Sequence, residues 1–139
     1  MQQKDLPLSS FNSKGIEKIK DYLQKDSNVL FAVLFGSVAS ALGNKSQAIK
    51  ARDIDIGIFF RNPPSGLELL KYVDTLSELV RVDIDLVVLN NASPFLRHQI
   101  MKNRVVLVIK DRIAYTRFRE KTISDYQEYR YISGMSRYA

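Results

Sequence analysis

Two segments of the chain each carry aspartates at alternate positions, Asp53-Ile54-Asp55 and Asp83-Ile84-Asp85. Side chains alternate along a strand, so each pair lies on one face, about 6–7 Å apart. Asp is disfavoured in strands, and like charges at that spacing repel unless a cation sits between them. Hard divalent cations take carboxylate oxygens as ligands. One such pair is more often the solvated edge of a sheet, but two in 139 residues weaken that explanation. Gly36-Ser37 ends an apolar run just before a short helical pattern. Backbone N–H groups and a Ser hydroxyl at such a turn can cradle phosphate oxygens, although the dipeptide alone equally suits an ordinary turn. A phosphate cradle, a metal-binding pair and a third carboxylate are the parts of two-metal phosphoryl or nucleotidyl transfer. Asp53 and Asp55 would then hold metal, and a carboxylate of the second pair would complete the cage or take the nucleophile's proton.

The elements that must position these groups follow from periodicity. Ser13 suits an N-cap for a first helix, with Ile16, Ile19 and Leu23 on one face. Val29–Phe35 is a continuous apolar run and reads as a central strand buried on both faces. Val38–Leu42 fits one short helical turn, and Gly43–Arg52 has loop composition. Over Asp53–Phe60, Asp53, Asp55, Gly57 and Phe59 share one face, and Ile54, Ile56, Ile58 and Phe60 share the other. Pro63-Pro64-Ser65-Gly66 opens a helix with Leu70, Val73, Leu76 and Val80 at helical period. Val82–Leu89 is a third strand, and Ser93-Pro94 caps a helix running to about Lys102. Val105–Ile109 is a short fourth strand. Asp111 to about Ser133 reads as one long helix with Tyr115, Phe118, Tyr126 and Tyr129 near one stripe. The order predicts a single α/β (α+β) domain over 1–139, with a loosely ordered leader at 1–12 and a sheet whose parallel or mixed character stays open.

Composition narrows the chemistry. There is no Cys, which excludes disulfides, a thiol nucleophile and thiolate-bound zinc or iron–sulfur centres. His98 is the single His, so imidazole-based metal sites are nearly excluded as well. The longest apolar run, Val29–Phe35, is far too short to span a membrane. Met1-Gln-Gln-Lys-Asp-Leu-Pro lacks a signal-peptide core, so the expected start is Met1 and the expected compartment the cytoplasm.

With these residues in place, Leu34-Phe35-Gly36-Ser37-Val38-Ala39 followed by Asp53-Ile54-Asp55-Ile56-Gly57 resembles the signature of the DNA polymerase β-like nucleotidyltransferases in their minimal (MNT) form. Ile84-Asp85-Leu86-Val87-Val88-Leu89 with Ser93-Pro94 and Leu96 resembles that family's third-carboxylate strand and the helix after it. The terminal helix, with Tyr115, Phe118, Asp125, Tyr126 and Tyr129, is similar to that of MntA-type antitoxins. The resemblance implies that Gly36 and Ser37 hold the terminal phosphates of ATP. It implies that Asp53 and Asp55 ligate two Mg²⁺ ions, and that Asp85 ligates one and activates the acceptor hydroxyl. Asp83 shares the face but lies outside the motif. The implied reaction is transfer of AMP from ATP to a tyrosine of a HEPN-domain ribonuclease toxin, which silences it. The segment Val38–Arg52 is longer than is usual in the family, and it brings Lys45, Lys50 and Arg52 forward as phosphate contacts.

Charge distribution decides between partner classes. The net charge is +6, yet residues 1–96 carry 11 basic and 11 acidic side chains, against 10 and 4 in residues 97–139. The excess therefore sits away from both aspartate pairs, whereas a nucleic-acid binder would surround its groove with it. The expected docking segment is 111–139, facing an acidic protein, and direct nucleic-acid binding is disfavoured. A catalytically degenerate binding module that occludes a toxin is the alternative expectation. A small-molecule nucleotidyltransferase would need an acceptor domain for which the chain has little room. His98 is expected at the surface, and Met101 and Met135 carry no functional signal.

Overall fold

The structure is a computed structural model and describes residues 12–36, 39 and 53–138. A π-helical turn, Asn12–Ile16, leads into α1 (Glu17–Lys25), and β1 (Val29–Phe35) and β2 (Asp53–Phe60) follow. Then come α2 (Leu67–Val80), β3 (Asp83–Val88), a 3₁₀ turn at Leu89–Asn91, α3 (Pro94–Lys102), β4 (Val105–Ile109) and α4 (Arg112–Tyr138). The fold class is mixed α+β. The sheet order is β3-β2-β1-β4; β1 pairs antiparallel with β2 and β4, and only β2 and β3 run parallel. Among the described residues, no helix is long and apolar enough to cross a membrane.

Helices cover both faces of the sheet, which is why β1 is apolar without alternation. On one face Ile54, Ile56, Ile58 and Phe60 of β2 pack with Ile19 and Leu23 of α1 and with Leu76 and Val80 of α2. On the other, Phe31 and Val33 of β1 and Phe59 of β2 meet Ile100 and Met101 of α3 and Tyr115 and Phe118 of α4. The Phe31 ring is stacked on Phe59 at 5.1 Å, with Tyr115 and Phe118 edge-on to it. Leu89, buried in this layer, packs directly over Gly57, where a Cβ would come within 2.9 Å of its Cδ2.

The local signals resolve in several ways. Ser93 caps α3 as expected, its hydroxyl accepting the Leu96 N–H at 3.2 Å behind Pro94. Ser13 falls inside the π-helical turn, and α1 begins instead after Ile16 with no side-chain cap. In α2, Leu70 is not a core residue: it is 64% exposed, roughly 120° around the helix from the Tyr72, Val73, Leu76 and Val80 face. Arg81 ends α2 in the left-handed region, its N–H donating to Ser77 O at 2.7 Å. The stripe expected on α4 divides in two because this 27-residue helix outruns the sheet. Tyr115 and Phe118 are buried on the strands, whereas Tyr126 and Tyr129 meet α3. The leader 1–11, the turn at Val38 and Ser40–Leu42, and the loop Gly43–Arg52 lie outside the described residues.

Candidate active site

Hydrophobic alternation forces Ile54, Ile56 and Ile58 toward α1 and α2, so Asp53 and Asp55 point to the opposite face. The same logic applies to β3, where Ile84, Leu86 and Val88 pack on the first core. The parallel register then sets Asp53 beside Asp83 and Asp55 beside Asp85. Neighbouring strands are about 4.8 Å apart and alternate residues about 6.6 Å, so the four Asp backbone positions outline a patch of roughly 5 by 7 Å. They sit at the strand starts. Asp53, Asp83 and Asp85 are exposed, and Asp55 is half-buried.

Asp55 is the electrostatically stressed member. Burial first, then the Asp85 carboxylate and its hydrogen bond, then Asp53, push the Asp55 carboxyl above the usual range. Opposite Asp55 in the antiparallel ladder stands Phe35, the last residue of β1, and Gly36 follows it. Gly36 has φ +74°, and a Cβ at this position would lie 3.0 Å from Asp55 Cγ and closer still to Oδ2. Only glycine lets the turn after β1 press against the carboxylate in this way.

Of the residues singled out from sequence, the fold brings together Gly36, Asp53, Asp55 and Asp85, and adds Asp83 in register with Asp53. Ser37 and Arg52, with Lys45 and Lys50, lie outside the described residues. Among the described residues no three carboxylate or imidazole side chains are drawn into a ready-made metal cage. The donor set nevertheless fits a hard cation: all ligands are carboxylate oxygens, and they repel one another at the one half-buried position. Lining up Asp53 with Asp83 needs the parallel pairing, which period-2 alternation does not contain.

Away from this patch, His98 is half-buried, its ring stacked flat on Tyr126 at 3.5 Å and 2°. Arg97 is buried, donating to Asp125 Oδ2 at 2.8 Å and to Ala92 O at 3.1 Å. Asn90 pairs with both backbone groups of Phe60, at 3.0 and 2.8 Å, where β3 leaves β2. A lone Asn in a loop carries no sequence signal for that.

Solved structures similar to this chain include toxin–antitoxin complexes. A toxin–antitoxin crystal structure with AMP-PNP has a chain 25% identical, with TM-score 0.71, covering 86% of this chain and 93% of that one. The complex of a tri-AMPylated Shewanella oneidensis HEPN toxin with its MNT antitoxin gives 23% identity and TM-score 0.66, over 92% and 93% of the two chains. A MntA-HepT toxin–antitoxin structure gives 23% and 0.68, over 87% and 92%. No curated protein matches the chain in sequence. The model of the family described as "Polymerase beta, Nucleotidyltransferase" matches residues 17–113, and with the two strand-borne aspartate pairs and the Gly36 turn in place, the chain belongs to that family.

Proposed function

We propose that this nucleotidyltransferase-fold chain is an antitoxin that acts as a protein adenylyltransferase, moving AMP from ATP to a tyrosine of a cognate HEPN ribonuclease toxin. The observation that carries the reading is the register placing Asp55 beside Asp85 and Asp53 beside Asp83, with Gly36 against Asp55. Gly36, with Ser37 and Arg52, is proposed to hold the β- and γ-phosphates. Asp53, Asp55 and Asp85 are the residues that would hold two Mg²⁺ ions, which when bound offset the triphosphate charge and favour the ionised acceptor. The tyrosine oxygen then forms a bond to the α-phosphorus while the bond from that phosphorus to the bridging oxygen breaks. Pyrophosphate leaves, and Asp85 takes the phenolic proton. The segment 111–139 is proposed as the docking element for the toxin. That the neighbouring structures are toxin–antitoxin complexes, one with an AMPylated toxin, supports the choice of acceptor.

The test is incubation of the chain, Mg²⁺ and α-labelled ATP with a purified HEPN-domain toxin. Labelling of that protein is expected, and its loss in Asp53→Asn and Asp55→Asn. Equal labelling by wild type and both variants would overturn the reading. A second reading is a binding module without catalysis, favoured by the absence of a pre-assembled carboxylate cage among the described residues. Full toxin neutralisation by both Asp variants, with no label transferred by wild type, would select it.

A further inference from the structure

At the opposite end of the sheet, roughly 25 Å along β2 from Asp53, lies a groove of about 490 Å³. That is within the size range of ligand sites. Its walls include Ser27, Leu30, Arg61, Lys110, Arg112 and Ile113. Arg61 and Arg112 are exposed, and neither has an ion-pair partner among the described residues. Lys110 does not swing free: its ammonium donates to the carbonyls of Leu23, Gln24 and Asp26 at the end of α1, which fixes a positive charge in the groove. The acidic groups nearby are already engaged. Asp111 accepts the Ala114 N–H at 3.0 Å, and Asp26 accepts the Asn28 N–H and the Tyr72 hydroxyl, both at 2.9 Å.

Both arginines stand on fixed backbone. Arg61 N–H donates to Asn28 O at 2.8 Å, and Asn28 and Asn62 exchange two further bonds of 2.8 Å. On the other side, the Lys110 and Asp111 N–H groups both donate to Leu30 O. Among the described residues, with the Lys110 ammonium held by carbonyls, the two guanidiniums without an ion-pair partner outnumber the one carboxylate of the groove, Asp111, and call for an anionic occupant. The half-buried Leu30 at the floor, and Ile113 at 65% exposure, call for an apolar group beside the anion. Among the described residues no aromatic ring lines the groove to offer a platform on which a nucleobase would stack.

We infer that this groove is a docking site for a peptide segment of a protein partner in which carboxylates flank an aliphatic side chain. The two guanidiniums take the carboxylates bidentately, and Ile113 with the Leu30 floor takes the aliphatic group. The site shares no residue with the aspartate patch, so it stands whether or not the chain transfers AMP.

The probe is the peptide acetyl-Glu-Leu-Glu-Glu-amide, titrated into the ¹⁵N-labelled full chain and followed by amide chemical shifts. Shifts centred on Ser27, Arg61 and the segment 110–113 are expected. Affinity should fall at least tenfold in Arg61→Ala/Arg112→Ala, whose own spectrum reports its fold. It should be unchanged in Lys18→Ala/Lys71→Ala, which removes the same charge from other exposed positions. The inference is overturned by shifts scattered over the basic surface, by equal weakening in both double variants, or by no binding. Inorganic phosphate or an oligouridylate producing the same local shifts at lower concentration than the peptide would also overturn it.

Discussion

Replacing Gly36 with alanine separates the geometry of the aspartate site from the stability of the fold. Gly36 has φ +74°, a region costly for residues with a Cβ, and the added methyl group would meet the Asp55 carboxyl with Cγ at 3.0 Å. Gly66 provides the control, since it has φ +58° and nothing within 4 Å of the position a Cβ would take. Backbone strain of this kind costs about 1–3 kcal/mol at either position. Both Gly36→Ala and Gly66→Ala should therefore lower the melting temperature by several degrees, at roughly 3–4 °C per kcal/mol for a chain of this length. Only Gly36→Ala also displaces a carboxylate. A shift near 1 Å in a reacting group costs on the order of 10²-fold in rate. Adenylyl transfer to the toxin, corrected for the folded fraction at the assay temperature, should then fall about 100-fold in Gly36→Ala. In Gly66→Ala it should stay near wild type. Equal rates in the two variants would refute the claim that the Gly36 contact positions Asp55.

Three further outcomes follow from the same structure. The raised pKa of Asp55 means the folded state binds its proton more tightly than the unfolded chain, so ionisation costs stability as pH rises through the folded value. Asp55→Asn should thus raise metal-free stability at neutral pH and abolish the stabilisation that added Mg²⁺ gives wild type, both measured by thermal unfolding. Asp125 is shifted the other way, held low mainly by its hydrogen bond from Arg97. Its contribution is present above the unfolded value of about 3.9 and is lost as pH falls through the lower folded one, so Asp125→Asn should flatten the acid side of the stability profile. Phe31 is fully buried between Phe59, Tyr115 and Phe118, and Phe31→Ala should cost about 3–5 kcal/mol in urea unfolding.

Much of the architecture is legible in residue order because alternation and helical spacing are local properties. Asp53–Phe60 and Val105–Ile109 occur as strands with the bounds their patterns predict, and Ser93-Pro94 opens α3 where capping chemistry places it. The errors fall where a neighbouring element sets the outcome. Leu70 stands three residues before Val73, as the helical period asks, but the face of α2 that packs on the core is centred on Leu76 and leaves Leu70 exposed. His98 looks like an isolated surface residue until α4 lays Tyr126 flat against it.

By itself the sequence determined that each aspartate pair shares a face, because a strand's side-chain period of two leaves no other choice. It also determined that glycine follows the most buried strand. Only the tertiary structure decided that β2 and β3 pair in parallel with Asp53 level with Asp83 and Asp55 level with Asp85. That register depends on how α2 crosses between the strands and on the isoleucine face it covers. The same folding step brings Gly36 against Asp55 from a strand of opposite direction. Pairing partner and strand direction are set by long-range packing, which no local pattern records.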